Sequence, residues 1–564
     1  MRSVYLYSIR GHKALNSSAT SQPLPDPLLS HKLEKGSSIQ TDTAWFLAVL
    51  LLGILARVMR YAACWPLWDD EAAVAVSFAK RSYAGLMAPL DHNQMAPVGF
   101  LWSVNAIVDV LGFNEYGLRL ASLVASLLAI VLIIVLCRKV MPGRTWMLGS
   151  GLLMAMHYHI RHATEVKQYA FDALFSVLLT TLAIHFGQKQ SKPALIALLV
   201  VTPLAMFCSL PAVFVAGGIT LALLPMLLRA RTWWLKISPL LLGVIVLVVF
   251  VGQYILFYQP WSAAMLNEMA DHWQDGFVNF NSPMALLMWL LRAASGVMFA
   301  IPVGGKNFAS LGSAILFWFG VVGFFKCKHW LFLRILFGIL LLSLIASAMH
   351  RYPFGGHPRM SMYVAPVFCI AIGMGIDNLL KILKMDRRAG REVTLIILAC
   401  ILSGQILKDC IEPSHGPTPQ KTSTFARWFW SEYGKDVRLM SVAEAWSKND
   451  PAIHGMTRHY ECFRLMYGSH LMIDNQIIPE HIDQLTGLVL VSRHPSLDEP
   501  FLQQWKVNLG KKYQVLAHQF FPVVENHQYY HVIWVAPLDQ KKQLIPTVPA
   551  LPPMSPDTKA KIAQ

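Results

Sequence analysis

Three consecutive carboxylates, Asp69-Asp70-Glu71, follow Trp68 in a chain that is only 14% charged. A second polar stretch, Asp91-His92-Asn93-Gln94-Met95-Ala96-Pro97, comes soon after, and both lie beyond the first long apolar run. Carboxylates beside a bilayer are costly unless they are solvated, paired or used. The Trp and Pro residues around these suit a membrane interface. A carboxylate so placed can take the proton of an attacking hydroxyl. The plain alternative is a solvated acidic loop.

Cationic partners recur in later connections. One is His157-Tyr158-His159-Ile160-Arg161-His162-Ala163-Thr164-Glu165-Val166-Lys167-Gln168-Tyr169, another Arg351-Tyr352-Pro353-Phe354-Gly355-Gly356-His357-Pro358-Arg359, and a third is Arg119 at the start of an apolar helix. Cationic side chains stabilise charge that grows on a departing phosphate. Arg119 and Arg161 could instead snorkel to headgroups, and Glu165 and Lys167 are close enough in sequence to form a local ion pair. The three histidines match no metal-ligand spacing, so they read as interfacial or hydrogen-bonding groups. Paired carboxylates and cations on one face suit group transfer from a lipid-linked phosphate.

The elements that must hold these groups are membrane helices. The 564 residues are 55% hydrophobic, with a mean hydropathy of +0.45. Windows of the ~20 apolar residues a span needs fall near 44–62, 118–137, 145–162, 169–187, 193–209, 211–229, 236–257, 308–326, 331–349, 361–381 and 393–411. Two further apolar stretches, 97–112 and 284–302, are assigned by charge. Counting either as a span puts Arg138, Lys139 and Arg144, or Lys326 and Lys328, outside, against the positive-inside rule. Both are therefore expected to lie along the outer surface. Arg2, Arg10, Lys13, Lys32 and Lys35 keep the N-terminus in the cytoplasm, so the carboxylates and the C-terminus face outward.

This gives an all-α polytopic membrane bundle of about eleven helices followed by a soluble α/β domain. Residues 1–43 read as a cytoplasmic disordered tail, 44–411 as the transmembrane catalytic domain with its outer loop at 63–117, and 412–540 as the extracytoplasmic domain. Residues 541–564 form a Pro-rich disordered tail. Strand-like runs at 437–442, 487–491, 513–518 and 529–535 and a helical pattern near 500–509 carry the α/β assignment. The net charge of +16 is topological, with anionic headgroups as its partner; it is no nucleic-acid signal. Eight scattered cysteines show no metal spacing and predict no disulfide. No phosphate loop for a nucleotide is present.

Trp68-x-Asp70-Glu71, Gln94-x-Ala96-Pro97, Arg119, Glu165-x-Lys167-Gln168-Tyr169 and Tyr352-Pro353…Arg359 together resemble the GT-C membrane glycosyltransferases. The similarity is to the protein mannosyltransferase and aminoarabinose transferase superfamily and covers about 44–411. The resemblance implies a carboxylate of the first outer loop as general base, a polyprenyl-phosphate sugar donor and inversion at the anomeric carbon. Carried onto this chain, the catalytic group is Asp70 and Glu71, with Asp69 an additional residue. The phosphate-binding positions fall on Lys167 and Arg359, with Arg119 supporting the loop, and Asp91, Gln94, Glu165 and Tyr169 assist.

The expected protein is thus a multi-pass glycosyltransferase, with its site on the periplasmic or extracellular face of a bacterial inner membrane. Its acceptor is a lipid, glycan or protein hydroxyl. No metal ligands are assigned and no cofactor is required, although a divalent cation is left open. A lipid or polysaccharide transporter would want polar residues at mid-membrane, and a non-catalytic scaffold leaves the carboxylate and cation loops unexplained.

Overall fold

A computed structural model describes residues 27–90, 94–259, 273–412, 438–441, 486–492, 503, 506–507, 509–523 and 528–538. Asp91, the tails 1–26 and 541–564 and most of 412–540 lie outside the described residues, as does the Asp69 side chain.

Among the described residues, eight helices are long and apolar enough to cross a membrane: Thr41–Ala62, Glu115–Val140, Tyr169–Lys189, Ala212–Arg229, Trp233–Tyr258, Trp330–Ala348, Ala365–Ile382 and Arg387–Ile411. Three shorter apolar helices, Trp146–Ala155, Lys192–Cys208 and Leu311–Lys326, complete the expected set. The first helix begins at Pro27, inside the segment read from sequence as a tail. The span expected at 145–162 breaks at Met156, and Trp146–Ala155 continues as the short helix His157–Arg161. Large apolar side chains such as Leu240, Val244, Leu247 and Val248 stay exposed, as lipid-facing helices require.

Polar contacts sort the helix ends into two layers. At one end Asp42 binds Arg144 and, at 3.3 Å, Arg391, while Lys139 meets His185 at 3.2 Å and Arg387 meets Asp377 at 2.6 Å. At the other end Arg60 meets Asp409 at 2.6 Å, and Tyr61 and Tyr116 exchange hydroxyl-to-carbonyl bonds between the first helix and Glu115–Val140. This second layer holds Asp70, Lys167 and Arg359.

The two ambiguous stretches are resolved by the same contacts. Val98–Leu111 is preceded by Gln94, bonded to Lys167, and followed by Tyr116, bonded to Ala62. Both its ends lie in the site layer, so it does not cross. Pro283–Ser295 behaves likewise: Val278 N–H donates to Ser347 before it, and Pro302 accepts from His157 N–H after it.

Close helix packing relies on small residues, as membrane bundles do. A Cβ on Gly320 would stand 1.8 Å from the Ala371 carbonyl, and one on Gly375 the same distance from that of Leu316. Leu311–Lys326 and Ala365–Ile382 therefore meet backbone to backbone. Gly373 against Gly149 seats Trp146–Ala155 in the bundle in the same way.

Four strands follow the last helix: β1 (Arg438–Ser441), β2 (Thr486–Ser492), β3 (Tyr513–Val523) and β4 (Gln528–Pro537). They form a mixed sheet of order β1-β2-β4-β3, with β1 and β2 parallel and the other pairs antiparallel. Each coincides with a strand-like run of the sequence. Ile533, Trp534 and Val535 of β4 are buried.

Candidate active site

The acidic loop folds because one of its carboxylates is spent on structure. Asp69 opens the helix Asp69–Lys80, where anionic groups are favoured by the helix dipole. Glu71, fully buried, reaches back to the Trp68 N–H at 3.3 Å and accepts from Val166 N–H at 2.8 Å. Arg119 grips it with two bonds, Nε to Oε1 at 2.9 Å and Nη2 to Oε2 at 2.6 Å. The remaining Arg119 nitrogen donates to the Trp65 carbonyl, and Nη2 also reaches that of Pro66 at 3.3 Å. Arg119 does not snorkel: it ties the acidic loop to the Glu115–Val140 helix, and Glu71 ties it to the 157–168 connection.

Asp70 is left facing the site. It accepts a hydrogen bond from Arg359 Nη1, and its side chain keeps 27% exposure against 12% for Arg359. Burial alone would push the Asp70 carboxyl up, but the charges of Lys167 and Arg359, with the Arg359 hydrogen bond, outweigh it and hold it below the usual aspartate value. Asp70 is therefore ionised at neutral pH.

Arg359 arrives on the short turn Pro358–Ser361, whose start is fixed by His357 Nδ1 accepting from the Arg359 N–H at 3.4 Å. Its guanidinium lies 4.6 Å from the Trp273 ring centroid, a cation–π contact that orients the plane. Its Nε is buried with no hydrogen-bond partner. Lys167 comes from the 157–168 connection and donates to Gln94 Oε1 at 2.6 Å, with its own carbonyl accepting from Ser122 at 3.2 Å. Glu165 accepts from Arg161 Nε at 2.9 Å and meets His162 Nδ1 at 2.5 Å. Tyr169, buried at the start of the next helix, lies against the His162 ring at 4.8 Å between centroids.

Asp70, Glu71, Gln94, Arg119, Glu165, Lys167, Tyr169 and Arg359 are thus gathered at one end of the bundle. Trp273 and the pairing of His162 with Glu165 were missed in the sequence. The Glu-x-x spacing behind a histidine was the available signal for the second; nothing local marks Trp273. Among the described residues no group of three or more His, Cys, Asp or Glu side chains is placed to hold a metal ion.

Residues 95–255 match the family described as dolichyl-phosphate-mannose-protein mannosyltransferase. Over 186 residues the chain is 28% identical to undecaprenyl phosphate-alpha-4-amino-4-deoxy-L-arabinose arabinosyl transferase of Pseudomonas paraeruginosa; the match spans 32% of each protein. In fold it is similar to ArnT from Cupriavidus metallidurans in the apo state (TM-score 0.54) and bound to undecaprenyl phosphate (TM-score 0.52). Each comparison has 12% identity and covers 87% of this chain and 97% of ArnT. The chain is a GT-C superfamily member, an integral multi-pass membrane protein with the ArnT-like fold.

Proposed function

We propose that the protein is a membrane glycosyltransferase that moves a sugar from a polyprenyl-phosphate donor to an acceptor hydroxyl with inversion. The observation that carries this reading is the juxtaposition of an ionised Asp70 with the cations Arg359 and Lys167 at one end of an ArnT-like bundle. The isoprenoid tail of the donor stays in the bilayer, and its phosphate meets Lys167 and Arg359. Asp70 engages the acceptor hydroxyl and draws its proton as the new bond forms. Glu71 and Arg119 are positioning residues, since their polar atoms hold the loop; Asp69 is not assigned a step. Gln94 places Lys167, and Trp273 places Arg359. The relative from Pseudomonas paraeruginosa is named for an undecaprenyl-phosphate sugar, which supports the donor class.

The charge bias of the connections puts the site on the periplasmic face of a bacterial inner membrane. The acceptor is a lipid, glycan or protein hydroxyl. A 412–540 domain beginning at the site end, after Arg387–Ile411, is placed to meet it. The test is incubation of the purified protein with polyprenyl-phosphate sugars and an extract of envelope acceptors. Release of polyprenyl phosphate that depends on both is expected; no release from any such donor would refute the reading.

A further inference from the structure

The best-formed pairing at the site that the proposed chemistry leaves unused is His162 with Glu165. Glu165, 1% exposed, meets His162 Nδ1 at 2.5 Å and is itself fixed by Arg161 at 2.9 Å. The imidazole lies between Tyr158, 6.3 Å away and nearly parallel, and Tyr169, 4.8 Å away. A carboxylate on one ring nitrogen fixes the tautomer: Nδ1 carries the hydrogen it donates to Glu165, and the lone pair is on Nε2. His162 Nε2 is buried and has no hydrogen-bond partner, although its residue is only 3% exposed. A buried orphan acceptor beside a site calls for an explanation. A packing histidine would have no need of a buried carboxylate to orient it.

Asp70 supplies the second half of the argument. Held below the usual aspartate value by its cations, it engages a hydroxyl well but is a poor final resting place for the proton. Glu165 and Tyr169 both bear electrostatically on Asp70, and Arg359, bonded to Asp70, bears on His162. The charged and titratable groups around the ring are Arg161 and Glu165 on its own segment, His159, Tyr169, and Arg359 and His357 from the 351–359 turn.

We propose that His162, oriented by Glu165, is a further catalytic residue: its Nε2 receives the acceptor's proton after Asp70. This rests on the glycosyl-transfer reading. The acceptor oxygen bonds to the anomeric carbon while the bond from that carbon to the donor phosphate oxygen breaks, its electron pair leaving with the phosphate. The acceptor's proton passes to Asp70, then to Nε2, and from the imidazolium to water, which restores the neutral ring.

The test variant is His162→Asn, whose amide nitrogen stands where Nδ1 was and keeps the bond to Glu165 but offers no Nε2. Turnover, read as polyprenyl phosphate release per folded molecule, should fall by ~10²-fold or more, as for lost acid–base catalysis, with donor KM little changed. The wild-type kcat/KM profile should contain one ionisation between about pH 5 and 8, the range of an imidazole, and the variant should lack it. A folded His162→Asn with wild-type turnover and the wild-type pH profile would overturn the proposal. So would a wild-type profile flat across that range, which decides the matter even where the variant does not fold. Wild-type protein that releases no polyprenyl phosphate from any donor defeats the glycosyl-transfer reading itself, an outcome distinct from both.

Discussion

Asp70 and Arg359 lie 289 positions apart in the chain, yet Arg359 Nη1 donates directly to Asp70 Oδ2. A carboxylate from the first outer connection and a guanidinium from the turn before Ala365–Ile382 thus close the site from opposite ends of the sequence. In the proposed reaction this contact is exchanged: a donor phosphate competes for the guanidinium, and Asp70 is released toward the acceptor hydroxyl.

The three adjacent carboxylates should separate by role. Asp70→Asn should lower turnover by ~10²-fold or more while leaving expression and donor binding near wild type. Glu71→Gln should act on folding instead, because it leaves buried Arg119 without its counter-charge; breaking such a pair costs roughly 3–5 kcal/mol. Asp69→Asn should do the least to turnover. Steady-state rates and thermal unfolding of the detergent-purified variants distinguish the three, and an inert Asp70→Asn beside a dead Asp69→Asn would shift the register of the motif by one.

Acid sensitivity should follow the cations around Asp70. Its carboxyl is held below the usual aspartate value, about 3.9, because Lys167 and Arg359 outweigh burial. Ionised Asp70, and the stability its ion pair contributes, is present above that usual value and lost as pH falls through the lower, folded one. Arg359→Gln removes one cation and lets burial act, so its acid loss of activity should move to higher pH. A pH–rate comparison of the two proteins checks this, and an unmoved acid limb would mean that Arg359 does not set the Asp70 charge.

Helix periodicity was not what made this fold legible. The apolar windows and the basic residues between them were enough, because lipid leaves the backbone few ways to satisfy itself. The same charges placed 97–112 and 284–302 along one face, as the contacts of Gln94, Tyr116 and Pro302 bear out. The site was legible as a set of residue types on one face, but not as a set of contacts. Arg119 reads in sequence as a free cation at an interface, and only its buried grip on Glu71 shows where its charge goes. Trp273 and His162 were opaque for a related reason: an aromatic or a histidine near a membrane edge is common, and what distinguishes these two is which distant partner each meets.

Sidedness can be read with thiol labelling. In a background lacking the native cysteines, Lys306→Cys, on the connection after Pro283–Ser295, should react with a membrane-impermeant reagent added outside intact cells. Arg388→Cys, near the start of Arg387–Ile411, should react only after permeabilisation. Outside labelling of the Arg388 position would invert the orientation and put the site in the cytoplasm.

Lys167 and Arg359 should differ in how far they tolerate replacement. Arg359 offers a planar fork whose orientation is set by the Trp273 ring and the Asp70 carboxylate, and a compact ammonium cannot reproduce that fork. Arg359→Lys should therefore already impair turnover. Lys167 acts as a point charge steered by Gln94, so Lys167→Arg should keep part of the activity where Lys167→Gln loses it, and Gln94→Ala should raise the donor KM more than it lowers kcat. If the two cations only anchor lipid headgroups, the Gln variants of both will change expression or thermal stability and leave rate and donor dependence per folded molecule intact. Rates measured across donor concentrations on detergent-purified variants, normalised to folded protein, distinguish these outcomes. Unchanged kcat and KM in both Gln variants would remove the phosphate from their side chains and leave Asp70 as the site's one assigned reactant group from these three.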